Sequence, residues 1–273
     1  MITEAQEKEL KERAKHLRRG ILECIGIGLA GHLGGSCSSA DIVSALYFYK
    51  MRYDPSNPFW PERDRFILSK GHVAILQYAA LAEAGYFPKE ELSTCKDLGS
   101  RLQGHPDRLK TPGIEVGTGS LGQGLSLGLG MVLGNRLNHI SSKVYVLMGD
   151  GEICEGQIWE AAMAAAAFHA NHLVGILDHN GLQATGAITD RMDSGDLAAK
   201  WKSFGWNVIE IDGHDFYEIC DALDRADQEV KRPTVIICRT IKGKGVSFAE
   251  NKVSFHNGAL TKEQYEQALL ELE

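Results

Sequence analysis

The second half of the chain alternates apolar runs with amphipathic stretches, and this pattern constrains the fold more than any other feature. Residues 144–148 form a continuous apolar run, which is typical of a strand buried on both faces of a parallel sheet. The other elements predicted here are strands at 173–178, 207–211 and 234–238 and helices at 157–170, 195–204 and 215–230. Such alternation predicts βαβ units, and therefore an α/β fold with a central parallel sheet and helices on both faces.

The first half of the chain predicts more helix than strand. Its predicted elements are a helix at 3–29, a helix at 40–51, a strand at 65–69, a helix at 72–84 and a mostly irregular glycine-rich stretch at 97–124. Neither an internal repeat nor a low-complexity linker separates the two halves. The sequence therefore predicts one domain.

Composition excludes several classes of function. The chain has 273 residues and a net charge of −7, without a dense Lys/Arg block, which disfavours a nucleic-acid partner. It lacks an apolar run of about 18 residues, so no membrane span is predicted, and its first residues lack the apolar core of a signal peptide. The six cysteines show no C-x-x-C spacing, which indicates free thiols in a reducing cytosol. We therefore expect a cytoplasmic protein.

Two neighbouring strands of the predicted sheet end in residues suited to a metal ion. The first runs into Gly149-Asp150-Gly151, and the next runs into Asn180 after 28 intervening residues (152–179). Ligands bind beyond the carboxyl ends of strands in an open parallel sheet. Magnesium prefers oxygen ligands, often one or two carboxylates completed by phosphates and water. The carboxylate of Asp150, the side-chain carbonyl of Asn180 and a backbone carbonyl just beyond it therefore predict a magnesium diphosphate site.

A second glycine-rich motif permits another interpretation. Residues 117–122, Gly-Thr-Gly-Ser-Leu-Gly, fit the G-x-G-x-x-G pattern of dinucleotide-binding folds. That pattern needs a preceding strand and an acidic residue about 20 positions later, which holds a ribose hydroxyl. The sequence offers neither a strong strand nor such a residue. A dinucleotide site is therefore disfavoured.

The stretch from the GDG to Asn180 resembles the signature of thiamine diphosphate-dependent enzymes. In that family the aspartate, the asparagine and a carbonyl two residues beyond the asparagine hold the magnesium ion. By position these are Asp150, Asn180 and Leu182. The resemblance thus implies thiamine diphosphate as cofactor and Mg²⁺ as metal, with Ca²⁺ or Mn²⁺ as substitutes.

Further motifs along nearly the whole chain resemble transketolase in order and spacing. They are GHLGGSCSSADIVSALYF (31–48), RFILSKGHVAILQYAAL (65–81), QGHPD (103–107), DGHD (212–215) and IKGKGVSFAENKVSFHNGAL (241–260). One departure is Leu33, which replaces the proline usual after the first histidine and leaves the substrate open. Dehydrogenase and decarboxylase subunits that share the GDG signature fit less well, because they lack this histidine set.

The resemblance implies a set of site residues. The histidines His32, His105 and His256 would face the donor hydroxyls, and His72 would lie near the diphosphate and the reaction centre. Imidazole suits this role because it donates or accepts protons near neutral pH. The other implied cofactor contacts are Gly119, Ser120, Leu121, Gly149, Gly151 and Lys242, with Glu155 as an interface carboxylate that couples two active sites. For Lys242 a solvated basic loop is the alternative, and the remaining histidines, His16, His139, His169, His172, His179 and His214, are interpreted as structural.

The resemblance also implies an activity and a partner. A transketolase moves a two-carbon ketol unit from a ketose phosphate to an aldose phosphate. The glutamate that activates the cofactor's pyrimidine lies on a separate pyrimidine-binding domain, and residues 1–273 match only the diphosphate-binding domain. We therefore expect the N-terminal subunit of a split transketolase, with the pyrimidine-binding and C-terminal domains on a partner chain in an α2β2 assembly. The predicted helix at 157–170 is apolar on all sides, which agrees with a second subunit covering it.

Two alternatives remain at this point. One is a non-catalytic module that binds thiamine diphosphate and has a scaffold or regulatory role. The other is a split transketolase that acts on an unusual sugar, either sulfonated or branched.

Overall fold

The computed structural model describes residues 1–273 and is built around a five-stranded parallel sheet. The strands of the chain are β1 (Ala30–Gly31), β2 (Arg65–Leu68), β3 (Val144–Gly149), β4 (Leu173–His179), β5 (Leu182–Gln183), β6 (Gly186–Ala187), β7 (Asn207–Asp212), β8 (Thr234–Arg239) and β9 (Gly258–Ala259). The order across the main sheet is β2-β3-β4-β8-β7, and every neighbouring pair is parallel. The α/β fold and the parallel sheet predicted from the sequence are confirmed.

Helices cover both faces of this sheet. They are α1 (Glu4–Ile25), α2 (Leu33–Ser38), α3 (Ala40–Ala45), α4 (Ala74–Glu83), α5 (Gln123–Leu137), α6 (Gly156–Ala167), α7 (Ile188–Arg191), α8 (Leu197–Ser203), α9 (Phe216–Gln228) and α10 (Lys262–Glu271). Short 3₁₀ turns occur at Gly71–Val73, Lys89–Thr94, Glu152–Cys154 and Val253–Phe255, and a π-helical turn follows α3 at Leu46–Lys50. None of these helices is both long and apolar enough to cross a membrane.

The core is divided by the sheet into two layers. Alternate residues of β3 face opposite sides: Tyr145 and Leu147 pack with α1, α3, α4 and α9, whereas Val144, Val146 and Met148 pack with α5, α6 and α8. This two-sided burial explains why the strand is apolar at successive positions.

Three local predictions differ from the structure. The first helix ends at Ile25 and not at residue 29, because Gly26 and Gly28 adopt positive φ angles of 64° and 77°. The helix predicted at 40–51 is divided into α3 and the π-helical turn, with α2 directly before it. Helix α5 was not predicted, because its glycines are poor helix formers.

The glycines of α5 allow the helix to pack unusually close to the sheet. A Cβ atom on Gly124 would lie 2.3 Å from Ser69 Oγ, and one on Gly128 would lie 2.7 Å from Val146 Cγ2. On the outer side of the same helix, a Cβ atom on Gly130 would meet no atom within 4 Å. The inner glycines therefore set the distance between α5 and the strands, and with it the position of the loop before α5.

This difference between inner and outer glycines gives a matched pair of substitutions. We expect Gly128→Ala to lower the free energy of unfolding by about 1–3 kcal/mol, because the added methyl group would overpack against the stiff Val146 side chain. Gly130→Ala should raise it by about 0.5–1 kcal/mol, since alanine is the better helix former and space is open there. Urea unfolding of the two variants measures both changes, and equal stabilisation by both would contradict the packing argument.

Candidate active site

The carboxyl ends of β3 and β4 form one side of a cavity, as the sequence predicts for a ligand site. Gly149 at the end of β3 lies in register with Asp178 near the end of β4. Nine of the residues singled out from the sequence line this cavity: His72, Leu121, Gly149, Asp150, Gly151, Asn180, Leu182, Lys242 and His256. Residues that are up to 184 positions apart, from His72 to His256, therefore meet at one edge of the sheet.

The other predicted residues lie around the cavity or beside it. His32 packs next to His72, with their ring centroids 5.0 Å apart. His105 is exposed and lies against Gly119, where a Cβ atom would sit 3.0 Å from its Cδ2 atom. The exposed residue Ser120 does not line the cavity. Glu155 is also exposed, and its side chain lies beside Gly122 at the start of α5.

Three histidines form a compact cluster at the cavity. The centroid of the His256 ring lies 5.5 Å from that of His32 and 5.3 Å from that of His72. Burial lowers the pKa of all three, with help from nearby lysines, to about 4 for His32 and His256 and to about 2 for His72. The imidazoles are therefore neutral at pH 7, and each can both donate and accept a hydrogen bond.

The Asp150 carboxylate is buried at the tip of the loop after β3. Its Oδ1 accepts a hydrogen bond from the Gly151 N–H at 2.9 Å, and its Oδ2 accepts one from the Gly181 N–H at 2.6 Å. His179 Nδ1 lies 3.3 Å from Oδ2, and this contact raises the pKa of His179. The Asp150–Gly181 bond joins the loops after β3 and β4 directly.

The Asn180 side chain and the Leu182 carbonyl lie in the loop after β4. Asn180 Nδ2 donates to Asp178 Oδ2 at 2.9 Å, and Asn180 Oδ1 accepts from the Leu182 N–H at 3.1 Å. The Leu182 carbonyl accepts a hydrogen bond from Lys242 Nζ at 2.8 Å. This carbonyl oxygen is thus turned towards a cation.

Lys242 is buried, so the solvated-loop interpretation of this residue is wrong. Its side chain reaches into the cavity, where Nζ lies 3.1 Å from His256 Nδ1. Burial, together with the charge of Lys70, lowers the pKa of Lys242 to about 8. A lysine held in this way presents positive charge to the cavity from a fixed position.

Sequence reasoning missed a buried ion pair at the floor of the cavity, between Lys70 and Asp178. Lys70 Nζ lies 2.6 Å from Asp178 Oδ2, and the two side chains are 3% and 0% exposed. Asp178 also accepts hydrogen bonds from Ser38 Oγ at 2.7 Å and from Thr240 Oγ1. Burial alone would raise the pKa of Asp178, but Lys70 and these donors lower it to about 2. The available signal in the sequence was Asp178 itself, a charged residue inside the otherwise apolar strand β4.

Glu152, in the turn after the GDG, was also missed. Its Oε1 accepts from Ser69 Oγ at 2.5 Å and from the Gly122 N–H at 2.9 Å, and its Oε2 accepts from the Gly149 N–H at 3.1 Å. Burial raises the pKa of Glu152. This one carboxylate connects the ends of β2 and β3 to the start of α5, so its role is to hold the cavity walls together.

The chemistry of the cavity follows from these contacts. Asp150 provides a carboxylate, Asn180 and Leu182 provide carbonyl oxygens, and Lys242 provides a buried ammonium group. The structure contains no group of three or more His, Cys, Asp or Glu side chains arranged to hold a metal ion. The cavity therefore combines oxygen donors, which suit a cation, with a buried ammonium group, which suits an anion.

Comparison with known proteins gives a consistent set of matches. The family model described as "Transketolase, thiamine diphosphate binding domain" matches residues 11–272. The chain is 46% identical over 268 residues to the 6-deoxy-6-sulfo-D-fructose transketolase subunit SqwG of Clostridium sp. (strain MSTE9), covering 98% of each chain. It is 40% identical to an apulose-4-phosphate transketolase subunit of Phocaeicola vulgatus, covering 98% of this chain and 95% of that one.

Longer transketolases are also similar. The human enzyme is 39% identical, with 96% of this chain and 42% of that protein covered. Among solved structures, the transketolase from Leishmania mexicana superposes with a TM-score of 0.91 at 30% identity, covering 96% of this chain and 41% of that one. The chain thus spans about two fifths of these longer proteins.

The Asp178 network gives a prediction with a defined pH dependence. Thr240→Val removes a hydroxyl donor from the buried carboxylate, and we expect it to lower the free energy of unfolding at pH 7 by about 1.5–3 kcal/mol. The folded-state pKa of Asp178 is about 2, below its ordinary value of 3.8, so its stabilising contribution is present above pH 3.8 and is lost as the pH falls through 2.

The difference in the free energy of unfolding between wild type and Thr240→Val should therefore shrink as the pH falls from about 4 to about 2. Denaturant unfolding across this range measures it, with Thr189→Val on the exposed side of α7 as the control. A difference that is independent of pH would contradict the assigned hydrogen bond.

Proposed function

Because this chain belongs to the transketolase family, we propose that it is the diphosphate-binding subunit of a two-chain transketolase. In this proposal residues 1–273 form a single diphosphate-binding domain, and the enzyme transfers a two-carbon ketol unit from a ketose phosphate to an aldose phosphate. The observation that carries the proposal is the convergence of Asp150, Asn180 and Lys242 on one cavity beside the neutral histidine cluster. The first three groups suit a metal diphosphate, and the histidines suit a polyhydroxylated substrate.

The residues present fit a magnesium ion. Asp150 offers a buried carboxylate, and Asn180 Oδ1 and the Leu182 carbonyl offer neutral oxygens. The Leu182 carbonyl accepts one hydrogen bond, from Lys242 Nζ, and has a second lone pair for a metal ion. One carboxylate with two neutral oxygens leaves room for phosphate oxygens, as magnesium prefers. We therefore propose Asp150, Asn180 and Leu182 as the metal ligands, with Ca²⁺ or Mn²⁺ as substitutes.

The residues also fit a diphosphate. The acidic side chains that line the cavity, Asp150, Glu152 and Asp178, each accept hydrogen bonds from other groups of the chain, and Lys242 adds a cation beside them. We propose that Lys242, His72 and the backbone of 119–121, 149 and 151 contact thiamine diphosphate. When bound, this cofactor supplies the nucleophilic carbon and the electron sink needed to break the carbon–carbon bond beside a ketone.

The histidines of this chain act on the substrate in this proposal. His32, which burial keeps neutral, and the exposed His105 hydrogen-bond to the donor's hydroxyl groups, and they thereby orient it. His256 assists the transfer of a hydroxyl proton in this proposal. Because its pKa is lowered to about 4, the protonated ring is a strong acid and quickly returns any proton that it takes. A module that only bound diphosphate would need none of these three histidines. Their presence therefore favours an enzyme over a non-catalytic role.

We propose a second chain that completes the site. The outer faces of α5 and α6 leave large apolar side chains exposed, including Leu127 at 41% and Met163 at 60%. Relatives that this chain covers almost completely are named as transketolase subunits. The partner would cover this surface in an α2β2 assembly and supply the glutamate that activates the cofactor's pyrimidine, with Glu155 placed at the interface beside Gly122.

The substrate class has a second candidate. Two of the similar proteins are named for a sulfonated sugar and for apulose 4-phosphate, and each is covered over nearly its full length. We therefore propose that an unusual ketose, sulfonated or branched, is the alternative to an ordinary pentose or hexose phosphate. Leu33, which is buried directly after His32, is the point at which this sequence departs from the usual motif.

The metal assignment predicts a loss of cofactor binding. Removing a residue that hydrogen-bonds to a metal ligand typically lowers metal affinity about 10–100-fold. Removing the ligand itself should therefore lower it at least about 100-fold. We expect Asp150→Ala to abolish the magnesium-dependent part of thiamine diphosphate binding, measured by calorimetry. The control is Asp190→Ala, an exposed aspartate on α7. Unchanged affinity in Asp150→Ala would count against this site.

The activity is tested by mixing the chain with its co-purifying partner and supplying a panel of ketose donors and aldose acceptors. We expect ketol transfer by the wild type, and a fall in donor turnover of about 10²–10⁴-fold in His105→Ala, with cofactor affinity changed less than about threefold. Arg108→Ala, an exposed change in the same loop, is the control. If cofactor affinity falls in parallel in His105→Ala, the substrate-facing role of His105 is wrong. If the wild type turns over no donor in a panel that includes sulfonated and branched ketoses, the enzyme proposal is wrong.

A further inference from the structure

His214 lies outside the cavity, in the DGHD motif, and none of the roles above uses it. It follows β7, and its side chain is 13% exposed. The preceding residue, Gly213, is pressed against the neighbouring strand end, because a Cβ atom there would lie 2.5 Å from Thr240 Cγ2. This close approach brings His214 to the segment that follows β8, residues 241–244.

The hydrogen bonds of His214 define which ring nitrogen carries its proton. Its Nε2 lies 2.9 Å from the backbone nitrogen of Ile241, and a backbone N–H can only donate. Nε2 is therefore the acceptor, and the ring proton is on Nδ1. Nδ1 lies 2.7 Å from Asp41 Oδ2, to which it donates.

Asp41 is in turn fixed by Arg18, and this pair holds the same segment from its other end. The Arg18 guanidinium donates to both carboxylate oxygens of Asp41, at 2.8 and 2.6 Å, and both side chains are buried. Arg18 Nε also donates to the Lys244 carbonyl at 2.8 Å. One buried network therefore bonds to Ile241 on one side of Lys242 and to Lys244 on the other.

We propose that His214 is a positioning residue: with Asp41 and Arg18 it fixes the backbone on both sides of Lys242 and so keeps the Lys242 side chain inside the cavity. A lysine carries a strongly hydrated charge on a stem of four flexible carbons, so its burial needs a fixed backbone and paired partners. Lys242 is 2% exposed, and its Nζ donates a hydrogen bond to the Leu182 carbonyl at 2.8 Å. The consequence for cofactor binding rests on the proposed function.

Two substitutions at position 214 separate the two hydrogen bonds. The amide oxygen of His214→Gln reaches about as far as Nε2 and can still accept from Ile241. The shorter amide of His214→Asn reaches only as far as Nδ1, so it can still donate to Asp41 but leaves the Ile241 N–H without an acceptor. A purely structural role for the ring would predict similar effects of both variants, whereas positioning predicts that glutamine rescues and asparagine does not.

The first readout is the accessibility of Lys242 in the cofactor-free full chain. Each protein is acetylated briefly with an N-hydroxysuccinimide ester at a series of pH values. Modification is quantified by peptide mass spectrometry against the exposed Lys252, and labelling is expressed as the rate constant of the neutral amine, so that a change in the pKa of Lys242 does not bias it. We expect His214→Asn to raise the relative labelling of Lys242 about three- to tenfold, the range that loss of one buried hydrogen bond produces, and His214→Gln to stay near wild type. Equal protection of Lys242 in all three proteins would overturn the inference.

The second readout is thiamine diphosphate affinity in a double-mutant cycle with Lys242→Met. We expect His214→Asn to weaken binding about three- to tenfold in the wild-type background and to have no further effect when Lys242 is already methionine. An equal effect in both backgrounds would overturn the positioning role. If Lys242→Met itself leaves affinity unchanged, the proposed cofactor contact of Lys242 is wrong, while the labelling result still decides whether His214 positions it. If His214→Asn does not fold, His214→Ser, which also leaves Ile241 without an acceptor, replaces it in both measurements.

Discussion

The buried ion pair between Lys70 and Asp178 is the interaction on which the rest of the site depends. A charge taken out of water destabilises a fold by several kcal/mol unless it is paired and fully hydrogen-bonded. Here the Asp178 carboxylate is bonded to Lys70, Ser38, Thr240 and Asn180, which come from different parts of the chain. The same carboxylate therefore ties together the carboxyl ends of β2, β4 and β8 and sets the orientation of the Asn180 side chain. The Asn180 oxygen, one of the three proposed to bind metal, is thus oriented by a residue that does not itself bind it.

Charge in the cavity is divided between two kinds of side chain. Burial and the neighbouring lysines keep His32, His72 and His256 neutral by lowering the pKa of each ring, so the positive charge belongs to Lys242 and Lys70. Lys70 is neutralised by Asp178, which leaves Lys242 as the cation available to an anionic ligand. The neutral imidazoles are then free to act as donors and acceptors towards hydroxyl groups. In the proposed function, binding of an anion and recognition of a sugar therefore belong to separate groups within one small volume.

The sequence predicted the elements whose signals are local. The strands after residue 143 are continuous apolar runs, and the Asp150 and Asn180 positions follow from where two of those strands end. It did not predict α5, because helix propensity opposes a glycine-rich helix and only close packing against the sheet explains those glycines. The Lys70–Asp178 pair was missed for a similar reason: its partners are 108 residues apart, and neither residue alone indicates the other. The family resemblance, not spacing, identified the histidines.

The surface that a partner would cover is continuous with the cavity. Leu121 lines the cavity, Gly122 follows it at the start of α5, and the exposed Glu155 lies against Gly122 at the start of α6. Glu152 bonds to the N–H of Gly122, so the position of the α5 start depends on the same loop that carries Asp150. A ligand that orders this loop would also order the surface proposed for the partner, and the partner would in turn favour the ligand-binding arrangement. By linkage, the cofactor and the partner chain should therefore strengthen each other's binding to this protein.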